Sequence, residues 1–143
     1  CAGVHWWANC LVGWACCWVP LARSGRIDRH CEGQSKKTVR IDESAFFILI
    51  KNLIENAIQH SPQYSSVVVV LEENTINVRD YGTGIQEKDT LHVFERFWRG
   101  EHRRDLGAGL GLAICREIAQ AHGFNLSLKN ENPGVSFKIA RNN

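Results

Sequence analysis

The sequence predicts an α/β two-layer sandwich of the α+β type, with a mixed or antiparallel sheet packed on helices. Apolar residues recur at helical spacing in two segments, residues 43–60 and 110–121. Short apolar or alternating runs separated by turn residues lie around those segments and indicate β-hairpins. With 143 residues, 44% hydrophobic and 22% charged, the chain has the size and composition of one globular domain.

The local signals predict each element in turn. Asp42 stands where the N-cap of the first helix belongs, and Ser61-Pro62 ends that helix because the residue before proline disfavours helical angles. His122-Gly123 supplies the stop of the second helix. The predicted elements are, in order, a short strand at Val39 and Ile41, a helix at 43–60, strands at 67–71 and 75–80, a connection at 82–108, a helix at 110–121, and strands at 124–128 and 135–139.

The first 37 residues differ from the rest, and we set the domain boundary between residues 37 and 38. Residues 2–22 carry no charge and precede three arginines, a pattern typical of a membrane-spanning helix, but glycine, proline and four tryptophans interrupt the run. Five of the six cysteines lie here without a C-x-x-C pair, which disfavours a zinc site. Three interpretations stay open: a non-native start, a hydrophobic cover on the domain, or a membrane segment.

The charge balance excludes one class of function. The formal net charge is +2 and the pI is about 8.3, so the chain is not a strongly basic nucleic-acid binder. We therefore expect no nucleic-acid partner.

Two asparagines share one face of the first predicted helix. Asn52 and Asn56 are four residues apart, and His60 follows one turn later. Amide oxygens are suitable ligands for Mg²⁺, which prefers oxygen. Taken alone, the pattern favours a solvated helix face.

A carboxylate ends the predicted strand at 75–80. Period-two geometry puts Asp80 on the same inward face as Ile76 and Val78, where a carboxylate needs a hydrogen-bond donor. Gly82 and Gly84 follow and permit a turn with close backbone approach to a ligand. An aspartate that only caps this turn is the alternative.

Glycines lead into the second predicted helix at Gly107, Gly109 and Gly111. Glycines at a helix N-terminus leave backbone N–H groups for phosphate oxygens, and the helix dipole favours negative charge there. A flexible hinge is the alternative. The segment is neither a dinucleotide-binding fingerprint, since no strand precedes it, nor a P-loop, since no Gly-Lys-Ser or Gly-Lys-Thr occurs.

Four motifs in this order resemble the catalytic ATP-binding domain of bacterial two-component sensor histidine kinases. They are the N-box LIKNLIENAIQHSP at 49–62, DYGTGI at 80–85, FERFWR at 94–99 and GAGLGL at 107–112. The resemblance covers residues 38–140 and implies the Bergerat ATP-binding fold, with ATP and Mg²⁺ as cofactors.

The resemblance also implies residue roles. Asn56 would ligate Mg²⁺ with Asn52 beside it as the second catalytic residue, and Asp80 would accept the adenine amino group. A mobile lid at 86–108 would be anchored by Phe94 and Phe97. Further ATP contacts would come from Gly82, Gly84, Ile85, Gly107, Gly109, Leu110 and Gly111, and also from Arg103 and Arg104 unless these two are only solvated charges.

The implied reaction transfers the ATP γ-phosphoryl group to a histidine on a separate dimerisation domain, with a response regulator as a further partner. None of the six histidines sits in the family's acceptor pattern, so we expect no self-phosphorylation of the usual kind. The implied location is cytoplasmic, in a parent protein anchored in the inner membrane. Two other hypotheses are a non-catalytic nucleotide-binding or docking module, and a stand-alone anti-sigma-type serine kinase.

The sequence departs from the family at two places. Gln59 occupies a position where relatives often carry Lys or Arg, which weakens the expectation of a phosphate contact there. The strand that normally precedes the N-box has no convincing counterpart in residues 20–35, and its absence would leave a sheet edge open. The Glu-x-x-x-Asn base of related ATPases is also not formed, since residue 52 is asparagine, so we expect little ATP hydrolysis.

Overall fold

The computed structural model describes the backbone of residues 26–31 and, with side chains, residues 41–72, 74–98 and 109–142. The predictions for the cysteine- and tryptophan-rich start, and for Arg103, Arg104 and Gly107, lie outside the described residues. The elements are, in order, β1 (Arg26–Cys31), α1 (Glu43–His60), β2 (Ser66–Leu71), β3 (Thr75–Arg79), a 3₁₀ turn (Glu87–Asp89), α2 (Gly111–Ala121), β4 (Phe124–Asn130) and β5 (Val135–Arg141).

The strands form one sheet in the order β1-β2-β3-β5-β4. β1 and β2 run parallel, and the other neighbours are antiparallel. The apolar sides of α1, α2 and the sheet enclose a single core, so the predicted two-layer sandwich with a mixed sheet is confirmed. Of the helices in the part of the chain that the structure describes, none is long and apolar enough to cross a bilayer.

The first strand lies elsewhere than the sequence predicts. Arg26–Cys31 pairs along its full length with Ser66–Leu71, whereas Ile41 lies outside any strand and Val39 outside the described residues. The expectation that residues 20–35 hold no strand was therefore wrong. Their charged residues hide the apolar alternation by which strands are recognised, while pairing with β2 needs only backbone groups. β1 also adds residues before position 38 to the sheet and covers the edge of β2.

The first helix forms as its sequence signals predict. Asp42 Oδ1 accepts a hydrogen bond from Ala45 N at 2.9 Å, and Ser61 N donates to Ala57 O at 3.0 Å where the helix ends. Its apolar side is buried and consists of Phe46, Leu49, Ile50, Leu53, Ile54 and Ala57.

The two hairpins also form where they are predicted. β2 buries Val67, Val69 and Leu71 and leaves the alternate valines half-buried, so only one side of this strand belongs to the core. In the second hairpin Phe137 and Ile139 of β5 are almost completely buried. Among the side chains that the structure describes, those on the other side of the sheet lie outside the core.

Hydrogen bonds of two side chains, His122 and Cys115, connect the second helix to the first. His122 Nε2 accepts from Asp42 N at 3.0 Å, and its Nδ1 donates to Ile118 O at 2.7 Å, so the imidazole joins the end of α2 to the start of α1. The buried Cys115 Sγ donates to Leu49 O at 3.5 Å. Burial raises the pKa of the Cys115 thiol to about 12, so the thiol stays protonated at neutral pH and remains a donor.

Replacing Cys115 with alanine tests this contact. The change removes a fully buried sulfur atom between the helices, and we expect the free energy of unfolding to fall by about 1 kcal/mol because a small cavity remains. Urea unfolding under reducing conditions measures the loss. Ile114→Ala is the matched control, because Ile114 is the neighbour of Cys115 in α2 and its side chain is 40% exposed. An equal or larger loss in the control would contradict the prediction.

Candidate functional site

A polar side of α1 carries the first part of the site. Asn52, Asn56 and His60 are half-buried rather than fully solvated. His60 Nε2 lies 3.1 Å from Asn56 Oδ1 and donates to it. A Cβ placed on Gly111 would lie 3.7 Å from Asn52 Oδ1, so the structure brings Asn52 next to the first residue of α2.

The N-terminus of α2 has the features of an anion site. Leu110 at the N-cap makes no side-chain hydrogen bond, and the first turn holds no acidic residue. The approach to the helix is fixed by Gly109, which has a φ of +69° and accepts a hydrogen bond from Phe97 N at 2.8 Å. The partial positive charge of the helix end is thus directed toward the same region as Asn52.

The second part of the site is the Asp80 carboxylate. It follows β3 and is 2% exposed, and its Oδ1 accepts from Gly82 N at 2.9 Å and from Val135 N at 3.1 Å. Among the described residues, no donor reaches Oδ2. Burial raises the pKa of Asp80, and the two backbone hydrogen bonds and the charge of Arg79 partly offset this rise. The carboxylate can therefore accept one further donor from a ligand.

Two glycines follow Asp80, and each position requires glycine for a different structural reason. A Cβ at Gly82 would overlap the carbonyl oxygen of His60, so the loop packs directly on the end of α1. Gly84 has a φ of +78°, which disfavours other residues. The sequence interpretation assigned Gly82 to close approach to a ligand, whereas the neighbour that excludes a side chain in this structure is the helix.

Sequence reasoning missed two residues that hold this loop. Asn130 Oδ1 accepts from Ile85 N at 2.9 Å, and Asn130 Nδ2 donates to Ile85 O at 2.6 Å. Gly134 has a φ of +93°, and a Cβ there would overlap the carbonyl oxygen of Asp80. Both residues lie between the strands predicted at 124–128 and 135–139, and neither of them was given a role in the site from the sequence. No local sequence pattern pairs position 130 with position 85. Only Gly134 offered a signal in the sequence, because glycine is the residue that a positive φ favours.

The two phenylalanines of the predicted lid anchor behave differently. Phe94 is buried and its ring meets Phe137 edge-on, with centroids 6.4 Å apart. Phe97 is 71% exposed and has a φ of +65°. Of the two phenylalanines only Phe94 packs in the core, where its neighbour Val93 is also buried, while Phe97 donates its backbone N–H to Gly109 O.

The polar side of α1 connects the two parts of the site. His60 at one end contacts the loop after Asp80, and Asn52 at the other end faces α2. These residues are separated by eight positions of one helix, or about 12 Å along its axis. The arrangement thus offers a hydrogen-bond acceptor at one end, a helix N-terminus that favours negative charge at the other and an amide oxygen between them.

A family model described as histidine kinase-, DNA gyrase B-, and HSP90-like ATPase matches residues 41–141. The chain is 36% identical to the sensor protein QseC of Salmonella typhi over 121 residues, which cover 84% of this chain and 27% of that protein. It thus spans about a quarter of the length of the curated relatives it matches.

Two solved structures have the same fold. The mycobacterial sensor histidine kinase MprB aligns with a TM-score of 0.78 at 24% identity, covering 93% of this chain and 94% of that one. Full-length ShkA in complex with AMPPNP aligns with a TM-score of 0.77 at 22% identity, covering 97% of this chain and 31% of that one.

Replacing Asn130 with alanine removes both hydrogen bonds to Ile85. We expect the Ile85 amide to exchange with solvent about fivefold faster, because one hydrogen bond contributes on the order of 1 kcal/mol to local stability. Hydrogen–deuterium exchange resolved to single amides measures the effect. Asn125→Ala, an exposed change on the same strand, is the control. Unchanged exchange at Ile85 in the Asn130 variant would show that the loop is held by other contacts.

Proposed function

Because this chain belongs to the histidine kinase-, DNA gyrase B-, and HSP90-like ATPase family and carries the catalytic domain of sensor histidine kinases, we propose that the site described above binds ATP. The observation that carries this proposal is the Asp80 carboxylate. It is buried, two backbone N–H groups fix its Oδ1, and its Oδ2 has no donor among the described residues. A buried acceptor of this kind suits the exocyclic amino group of adenine and disfavours guanine, which presents a carbonyl oxygen there.

The rest of the site fits the other end of the nucleotide. The N-terminus of α2 favours the negative charge of phosphates, and Gly111 leaves room beside Asn52. The separation of about 12 Å between the two ends of the polar helix side suits an extended nucleotide, with its base at Asp80 and its phosphates at α2. ShkA, which shares the fold, was crystallised with AMPPNP, an analogue of ATP.

The donor set between the two ends fits Mg²⁺. No group of three or more His, Cys, Asp or Glu residues that could hold a metal occurs within the described ranges. Mg²⁺ needs no such cage, because it keeps several waters and binds through one or two protein oxygens together with substrate phosphates. We assign Asn56 as the protein ligand, with Asn52 beside it. The ion would neutralise phosphate charge during transfer.

The reaction we propose is transfer of the γ-phosphoryl group to a histidine on a separate dimerisation domain. Phosphoryl transfer depends on positioning and charge stabilisation rather than on a protein nucleophile. Asp80, Asn56 and the start of α2 would position the nucleotide for that transfer. The proposal extends to a response regulator as downstream partner and to a cytoplasmic location in a membrane-anchored parent. Asn52 argues against the serine-kinase alternative, since those relatives usually carry glutamate at this position.

Asp80→Asn tests nucleotide binding. Asparagine keeps the acceptor oxygen for Gly82 and Val135 but offers an amide in place of the free carboxylate oxygen. We expect ADP affinity with Mg²⁺ to fall by roughly 10- to 100-fold, because a hydrogen bond to a charged group is lost. Calorimetric titration measures it, with Asp89→Asn as the carboxylate control. Full-affinity binding by the Asp80 variant, or equal binding of GDP by the parent chain, would contradict the assignment.

Phosphoryl transfer is tested by adding a histidine-bearing dimerisation domain and γ-labelled ATP. We expect label on the added domain that is lost in acid and kept in base, as for phosphohistidine. A matched domain with its acceptor histidine replaced by glutamine should take up none. ATP binding without any transferred label would instead favour the non-catalytic module.

A further inference from the structure

We propose that His60 is a positioning residue that orients the amide of Asn56 toward the bound cation. This inference rests on the proposed function, since it concerns the same site. The His60 imidazole lies one helical turn after Asn56 on the same side of α1, and both side chains are half-buried.

The hydrogen bond between them assigns the two ends of the Asn56 side chain. An asparagine amide has an oxygen that accepts and a nitrogen that only donates, and a rotation of the terminal group exchanges them. Oδ1 of Asn56 faces His60 Nε2 at 3.1 Å, so the imidazole must carry its proton on Nε2 and donate it. With the proton on Nε2, a rotated amide would place two donors against each other, which is unfavourable, so this tautomer of the imidazole fixes the orientation of the Asn56 amide.

His60 is held firmly although it is the last residue of α1. Ends of helices usually fray. Here Ser61 N donates to Ala57 O at 3.0 Å, and Gly82 packs against the His60 carbonyl oxygen. The loop that carries Asp80 therefore fixes the backbone from which the imidazole projects. The adenine end and the metal end of the site are connected through this one residue.

The consequence concerns the metal rather than the base. A carbonyl oxygen has two lone pairs, and the bond to His60 uses one of them. The other remains in a fixed direction for Mg²⁺. Mutating a residue that orients a metal ligand lowers the metal affinity by roughly 10- to 100-fold, although that residue does not touch the metal.

The test measures how much Mg²⁺ strengthens ADP binding. The dissociation constant of ADP is determined by calorimetry at one pH, with excess Mg²⁺ and with EDTA, for the parent chain and each variant. We expect His60→Phe to reduce the strengthening by Mg²⁺ about tenfold and to leave ADP affinity in EDTA unchanged. His60→Gln should restore part of the effect, because its amide nitrogen donates. Ser44→Ala, at the opposite end of α1, is the control.

A second comparison separates positioning from other roles. In an Asn56→Ala background, His60→Phe should cause no further loss, since the amide that it orients is gone. Equal losses in Mg²⁺ and in EDTA would overturn the proposal and assign His60 to the nucleotide itself or to folding, which thermal unfolding of the variants distinguishes. Full Mg²⁺ dependence in His60→Phe would also overturn it. Failure of the parent chain to bind ADP would instead contradict the proposed function.

Discussion

The burial of the Asp80 carboxylate is the constraint on which the rest of the site depends. An ionised group at 2% exposure is unfavourable unless donors surround it, and Gly82 N and Val135 N supply them. One donor comes from the loop after β3 and the other from the start of β5, so the carboxylate joins these two segments. Gly134 is required at the same point because any side chain would collide with the backbone of Asp80.

The loop that carries Asp80 positions the neighbouring elements through direct contacts. The loop fixed by Asp80 packs on the end of α1 through Gly82, and Asn130 holds the far side of the loop through Ile85. The apolar side of α1 is buried against the sheet and α2, while its polar side places Asn52 beside the first residue of α2, and the end of the helix contacts the loop after Asp80. One side of α1 thus belongs to the core and the other to the site. Substitutions are therefore restricted on both sides of this helix.

Most of the fold was accessible from the sequence because its elements carry strong local signals. The cap at Asp42, the stop at Ser61-Pro62 and the alternation in β5 each depend on neighbouring residues alone. β1 was missed for the opposite reason. Its residues show no apolar alternation. It becomes a strand only because it pairs in parallel with the edge of β2, which comes later in the chain.

The sequence by itself determined the fold class, the order of the motifs and the residue types of the site, since amide, carboxylate and glycine chemistry can be recognised one position at a time. Tertiary structure alone decided which of these residues meet. The pairing of Asn130 with Ile85 spans 45 positions and that of Asp80 with Val135 spans 55, and no short-range pattern encodes either one. Tertiary structure also decided that Phe94 is buried while Phe97 is exposed. The two side chains are chemically identical and differ only in whether they reach the core.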